Sequence, residues 1–155
     1  MKKSVVSLIL IYIVLCAARA YSQSPAEKTA ETVATVYVYR YKQFMGSGLE
    51  PSVYCDEAEL ARMDNGRYFA VKLAPGKHTF RSNDKQAGIE MELKGGETYY
   101  IRVELVPGMM KGHGRLVLMQ KEQGAYEIRK LKPLGDDKVR DKAKVVTTEK
   151  STDKP

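Results

Sequence analysis

The sequence contains few of the residues and motifs that build active sites and metal centres. It has two cysteines and two histidines in 155 residues, and no group of them has the spacing of a zinc site. A Gly-x-Ser-x-Gly motif is absent, because Gly46-Ser47-Gly48 is too short for the turn that exposes a nucleophilic serine. Gly95-Gly96-Glu97 is too short to cradle a phosphate. We therefore predict that the protein is not an enzyme and has no catalytic residues and no cofactor.

A hydrophobic run long enough to cross a membrane is also absent from the N-terminal region. The apolar run Val5–Leu15 is well short of the roughly 20 residues that span a bilayer. It follows the basic pair Lys2-Lys3 and precedes Ala18-Arg19-Ala20, in which the small side chains of Ala18 and Ala20 suit signal peptidase. These features predict a signal peptide over residues 1–20, cleaved after Ala20, and a periplasmic or secreted protein with no stable membrane span.

Two other outcomes stay open at the N-terminus, and they change the cysteine count. An uncleaved anchor is one, and lipid attachment at Cys16 is the other, although Leu15 is bulky for lipoprotein processing. Cleavage after Ala20 would remove Cys16 and leave Cys55 alone, so no internal disulfide could form. The neighbours of Cys55 look like a strand end, and we expect a buried, unreactive thiol.

The charge of the chain does not indicate a nucleic-acid partner. The formal charge of the full chain is +7, and it falls to +4 when Lys2, Lys3 and Arg19 are removed with the signal peptide. A charge of that size is ordinary for a small domain, and the basic residues are interspersed with acidic ones and form no stripe. The partner expected instead is an envelope protein or a glycan.

Alternation of apolar and polar residues predicts a β-structure. Ile89, Met91 and Leu93 alternate with Glu90 and Glu92, and the other short segments show the same period of two. Turn sequences such as Pro75-Gly76 separate them. We predict an all-β fold, a small antiparallel β-sandwich of seven to eight strands. The predicted strands are 36–41, 52–55, 67–73, 77–81, 89–93, 99–105, 115–120 and 125–131.

The same patterns divide the chain into four segments. Residues 1–20 are the signal peptide, 21–32 a flexible lead-in, 33–134 the β-sandwich domain and 135–155 a charged disordered tail. One segment inside the domain is ambiguous. Asp56 to Met63 reads either as a short capped helix or as a hairpin with its turn at Asp56-Glu57, and we favour the hairpin.

Two groups of residues are candidates for binding. Met109, Met110 and His113 offer soft ligands that suit copper, although a glycine-rich loop with one exposed histidine explains the same residues. Tyr37, Tyr39 and Tyr41 share one face of a strand, where an exposed aromatic row would bind a glycan or a partner. The alternative is that this face is covered.

His78 alternates with Phe80, and we expect it to be a half-buried packing residue.

Several motifs together resemble a known family. They are VYVYR at 36–40, GRYF at 66–69, LAPGKHTF at 73–80 and GGETYYIRVE at 95–104. Over about residues 33–131 the chain resembles the DUF2846 family, small exported or lipid-anchored bacterial domains of unknown function. The order of turns is also similar to that of PEGA and transthyretin-like modules.

The resemblance implies a β-sandwich and brings no catalytic residues. We expect a structural or interaction module of the cell envelope, with a ligand- or metal-binding periplasmic protein as the alternative.

Overall fold

The computed structural model describes residues 32–83, 88–106 and 113–146. The predicted signal peptide and residues 21–31 of the lead-in lie outside these ranges. The described strands are β1 (Ala34–Tyr39), β2 (Ser52–Cys55), β3 (Ala58–Arg62), β4 (Arg67–Leu73), β5 (Gly76–Arg81), β6 (Gly88–Leu93), β7 (Thr98–Val106), β8 (His113–Met119), β9 (Lys132–Pro133) and β10 (Val145–Val146). The helix α1 (Lys121–Ile128) connects β8 to β9, and a 3₁₀ turn at Asp136–Lys138 lies between β9 and β10.

The strands form two sheets, which confirms the predicted sandwich. The first sheet has the order β10-β4-β1-β7-β8, with β9 beside β4, and the second has the order β3-β2-β5-β6. The hairpin reading of residues 56–63 is correct, because β2 pairs antiparallel with β3 across Asp56-Glu57.

The first sheet is not purely antiparallel, and the prediction was wrong in this respect. Strand β1 runs parallel to β7, with Val38 opposite Ile101, and β9 runs parallel to β4. Parallel neighbours need a long crossover between them. The chain supplies one here because it leaves the first sheet after β4, forms β5 and β6 in the second, and returns as β7.

The inward faces of the two sheets share one apolar core. On β1, Ala34, Val36 and Val38 are fully buried, as alternation along a strand requires. Each of these residues lies opposite an apolar residue of β4, and Val36 pairs with Val71. The second sheet contributes apolar side chains from each of its strands to the same cluster, namely Val53, Cys55, Leu60, Ala61, Phe80, Met91 and Leu93.

The predicted strand at 125–131 is wrong, because most of this segment belongs to α1. Ala125, Ile128 and Leu131 all pack on the core, and their spacing of three suits a helical turn better than a strand. Within α1, Gly124, Glu127 and Ile128 are buried, which is the one-sided pattern of a helix lying on a surface. That surface is the outer face of the first sheet, and α1 contacts β7 there.

The predicted disordered tail is also wrong for residues 135–146. The backbone N–H groups of Arg140 and Asp141 donate to the carbonyl oxygen of Leu60 at the edge of the second sheet. Val145 then pairs with β4 in the first sheet. Val139 and Val145 are buried, so these two side chains and the hydrogen bonds to strand edges offset the ordering entropy. Residues 147–155 of the predicted tail lie outside the described ranges.

The contact between α1 and β7 can be tested at Gly124. A Cβ atom at this position would collide with the Cβ and Cγ atoms of Tyr100. We expect Gly124→Ala to lower the free energy of unfolding by about 1–2 kcal/mol, because overpacking outweighs the better helix propensity of alanine. Urea denaturation measures the change.

The matched control is Gly48→Ala. A Cβ atom at Gly48 would meet nothing within 4 Å. We expect this variant to stay within about 0.5 kcal/mol of the native protein. Equal stability of the two variants would contradict the close approach of α1 to Tyr100.

Candidate functional site

Three side chains of metal-binding type meet at one end of β2. Cys55 is the last residue of that strand, Asp56 begins the turn to β3, and His78 lies on the neighbouring strand β5. The imidazole Nδ1 of His78 is 3.0 Å from Oδ2 of Asp56 and 3.9 Å from Sγ of Cys55. The thiol of Cys55 is 3.7 Å from the same carboxylate oxygen. We call these residues the Cys-Asp-His cluster.

Backbone groups hold the cluster in place. Asp56 adopts a left-handed conformation with φ of 54°, which aspartate tolerates better than most residues. Its N–H donates to the carbonyl oxygen of Thr79 at 2.7 Å, and its Oδ1 accepts the N–H of Thr79 at 3.0 Å. Nε2 of His78 lies 3.1 Å from the carbonyl oxygen of Ala74 and therefore donates its hydrogen there. The atoms left facing one another are Sγ, Oδ2 and Nδ1.

The electrostatics of the cluster do not activate the thiol. Burial and the adjacent Asp56 carboxylate raise the pKa of Cys55 to about 12. Burial also acts to raise the pKa of Asp56, but the hydrogen bonds from Thr79 and His78 outweigh it and hold that pKa below its usual value. Asp56 is therefore ionised at neutral pH while Cys55 keeps its proton, the opposite of a reactive cysteine.

The geometry also differs from that of a Cys-His-Asp catalytic triad. In a triad, one imidazole nitrogen contacts the nucleophile and the other contacts the carboxylate. Here Cys55 and Asp56 both face Nδ1 of His78, and Nε2 is bound to a backbone carbonyl. The arrangement brings three potential ligand atoms to one point, which is what a metal site requires.

The sequence anticipated parts of this cluster but not the cluster itself. Cys55 is buried, as expected, with 2% of its surface exposed. His78 is half-buried, also as expected. The signal that could have joined them is the pairing of β2 with β5, which places Cys55 opposite Phe80, two residues from His78. The predicted copper ligands Met109 and Met110 lie outside the described residues, as does the side chain of His113.

The three tyrosines proposed as an exposed row are not equivalent. Tyr39 is fully buried, and its hydroxyl donates to Glu127 of α1. Tyr37 stacks on Tyr100 with ring centroids 5.4 Å apart, and Tyr41 lies edge-on to Tyr39 at 6.1 Å. Tyr37 and Tyr41 keep part of their surface exposed. A continuous exposed row is therefore wrong, because α1 covers its middle member.

Glu127 forms the centre of a polar network under α1. It accepts hydrogen bonds from Tyr39, from Gln123 at 2.9 Å and from Arg102 at 3.4 Å. Burial acts to raise the pKa of Glu127, but these hydrogen bonds and the charge of Arg102 outweigh it and leave the pKa below its usual value. Arg102 in turn binds Glu104 through Nε at 3.0 Å. The network fixes α1 on the sheet.

A second candidate site is the loop of residues 41–50, between β1 and β2. Arg40 is buried at its base and donates to the carbonyl oxygens of Gly46 at 2.7 Å, Met63 at 3.3 Å and Leu49. At the tip, Phe44 is 100% exposed and Met45 is 83% exposed. The loop therefore presents two adjacent apolar side chains on a backbone that a buried guanidinium holds in place. We call these two residues the apolar tip.

Comparison with known proteins identifies a family but no characterised relative. The family model of DUF2846, described as a protein of unknown function, matches residues 30–115. No curated protein and no solved structure matches the chain. The matched residues include the apolar tip and the Cys-Asp-His cluster. The match ends before α1, whereas the resemblance seen in the sequence extended to about residue 131. Within the described ranges, no helix is long and apolar enough to cross a membrane.

The network around Glu127 predicts a dependence of stability on pH. Because the pKa of Glu127 is lower in the folded state than in the unfolded state, its contribution is present above about pH 4.5 and is lost as the pH falls through the folded-state value. Glu127→Gln should therefore make the acid decline in the free energy of unfolding less steep. Urea denaturation between about pH 3 and pH 6 measures this slope.

The matched control for this experiment is Glu122→Gln. Glu122 lies on the same helix and is exposed to solvent. This variant should keep the native slope. The slope will not vanish in Glu127→Gln, because the pKa values of Glu104 and Asp56 are also lowered. An unchanged slope in Glu127→Gln would contradict the role of the network.

Proposed function

This chain belongs to the DUF2846 family, whose function is unknown, and we propose that it is an exported, non-enzymatic interaction module of the bacterial cell envelope. The observation that carries the proposal is the apolar tip. Scattered apolar residues are common on protein surfaces. An adjacent phenylalanine and methionine, both exposed and raised on a loop that Arg40 anchors, are less ordinary.

The anchoring by Arg40 supports a binding role for the tip. A loop that is already held in its bound shape loses less conformational entropy when a partner binds. Aromatic residues and methionine are enriched at the centres of protein interfaces. The buried guanidinium is a costly way to hold a loop, since burial lowers the pKa of Arg40 and its Nε has no hydrogen-bond partner among the described residues. A required loop shape would explain this cost.

The partner proposed is an envelope protein with an apolar pocket rather than a lipid bilayer. Burying Phe44 and Met45 would contribute roughly 1.5–3 kcal/mol each. A single myristoyl chain, which buries more apolar surface, gives only marginal membrane binding. A protein pocket could add polar contacts at the rim, where Lys42 and Gln43 lie beside the tip.

Other interpretations have less support. A flat glycan platform on the tyrosines is disfavoured because Tyr39 is covered. A cysteine nucleophile at Cys55 is disfavoured because its thiol is not activated and the cluster lacks the geometry of a triad. Binding of copper by Met109, Met110 and His113 rests on the sequence alone and remains the alternative, with copper titration of the purified protein as its test.

Export is tested at the mature N-terminus. We expect the protein isolated from the envelope fraction of the native host to begin at Tyr21, because signal peptidase would cleave after Ala20. Intact-mass spectrometry with N-terminal sequencing makes the measurement. A chain that begins at a lipid-modified Cys16 would show that the protein is anchored to a membrane by lipid. A chain that begins at Met1 would contradict cleavage of the signal peptide.

Binding through the apolar tip is tested by photo-crosslinking in the native host. A benzophenone amino acid at position 45 should give a defined crosslinked protein, and Phe44→Ser in the same chain should abolish it, because the pocket would lose its aromatic anchor. Denaturing gels and mass spectrometry of the product report the outcome.

The matched control places the crosslinker at position 118. Leu118 is 50% exposed on β8 and does not belong to the tip. This position should not give the same product. Crosslinks at position 45 that survive Phe44→Ser, or that go only to lipid, would contradict a protein partner at the tip.

A further inference from the structure

We propose that the Cys-Asp-His cluster is a binding site for a divalent transition-metal ion, with Zn²⁺ as the ion that suits it. The three residues lie at the β2–β3 turn and on β5, and they are different from the methionines and histidine that the sequence suggested for copper. The inference does not depend on the apolar tip or on export.

The spacing of the three ligand atoms fits a zinc ion. Zinc binds cysteine sulfur at about 2.3 Å and histidine nitrogen or carboxylate oxygen at about 2.0–2.2 Å, with tetrahedral angles. Ligand atoms around such an ion are therefore about 3.3–3.7 Å apart. The separations in the cluster are 3.0 Å for Nδ1 to Oδ2, 3.7 Å for Sγ to Oδ2 and 3.9 Å for Sγ to Nδ1. Each is within a few tenths of an ångström of the range.

The other polar atoms of the histidine and the carboxylate are already occupied in the way that metal ligands require. A ligating histidine usually donates its second N–H to a carbonyl or a carboxylate, which fixes the ring. Nε2 of His78 meets the carbonyl oxygen of Ala74 at 3.1 Å. Oδ1 of Asp56 accepts the N–H of Thr79 at 3.0 Å, so Oδ2 is the oxygen that faces the site. Both ligands are held by backbone groups, Asp56 by strand β5 and His78 by the turn before it.

Charge and access also suit the ion. A thiolate and a carboxylate together neutralise a divalent cation, which lowers the cost of holding it beside the buried Cys55. On binding, the ion would replace the proton of the Cys55 thiol, which would pass to solvent, and Nδ1 of His78 would coordinate through its lone pair. The Asp56 side chain is 53% exposed and that of His78 16% exposed. Solvent therefore reaches one side, where water would be the fourth ligand.

The test uses Co²⁺ as a spectroscopic substitute for zinc. Titration of the purified, reduced protein with Co²⁺ should show one bound ion, with tetrahedral d–d bands and a near-ultraviolet thiolate-to-cobalt band, and Zn²⁺ should displace it. Cys55→Ser should remove the thiolate band. His78→Gln removes a ligand. It should therefore weaken binding by more than the loss of a group that only orients a ligand, which costs about 10- to 100-fold.

Two controls keep the result interpretable. His78→Gln leaves the buried Cys55 in place, so it reports on the site even if Cys55→Ser fails to fold, and circular dichroism checks both variants. His113→Gln is the matched control, because it removes the other histidine, which is not part of the cluster. It should bind Co²⁺ as the native protein does.

Three results that concern the cluster itself would each overturn the proposal. They are the absence of a one-to-one Co²⁺ or Zn²⁺ complex, a Co²⁺ complex without a thiolate band, and an affinity that is unchanged in His78→Gln. Loss of binding in His113→Gln would also overturn it and would favour the copper ligands suggested by the sequence.

Discussion

Strand β1 is buried on its inner face and is covered over Tyr39 on its outer face, and the surrounding elements must satisfy the polar groups that this covering buries. Its inward side chains, Ala34, Val36 and Val38, lie in the core shared with the second sheet, while β4 and β7 flank it. Its outward face carries tyrosines, and the helix α1 lies over Tyr39. A buried hydroxyl without a partner would cost about 1–3 kcal/mol, so the covering helix must supply an acceptor. Glu127 supplies it.

A buried acceptor that is charged imposes further requirements. Glu127 needs a counter-charge, because an unpaired buried carboxylate is strongly destabilising. Arg102 on β7 provides that charge, Glu104 orients Arg102, and Arg115 on β8 binds Glu104 at 2.6 Å. The polar residues that alternate along the outer face of β7 are therefore only partly solvated. They form a chain of ion pairs from beneath the helix towards the edge strand.

The sequence predicted features that depend on local pattern and missed those that depend on packing. The bounds of β2 and β4 and the turn at Asp56-Glu57 follow from alternation and turn chemistry. Helix α1 was missed because Gly124 reads as a turn, although here it allows close approach to Tyr100. The short helix is stabilised by the sheet beneath it. The Cys-Asp-His cluster was missed because strand register, rather than spacing along the chain, brings Cys55 and His78 together.

The two candidate sites share a structural principle. The loop with the apolar tip leads into β2, and the Cys-Asp-His cluster forms where β2 ends. In both places a polar side chain is bound to backbone: Arg40 to carbonyl groups, and Asp56 to the N–H of Thr79. Side chains on connections need such support, because loops lack the regular hydrogen bonds of a sheet. Both sites lie within the residues matched by the family, whereas Glu127 lies beyond them. The matched domain therefore carries the proposed binding features, and the residues after it cover the sheet that supports them.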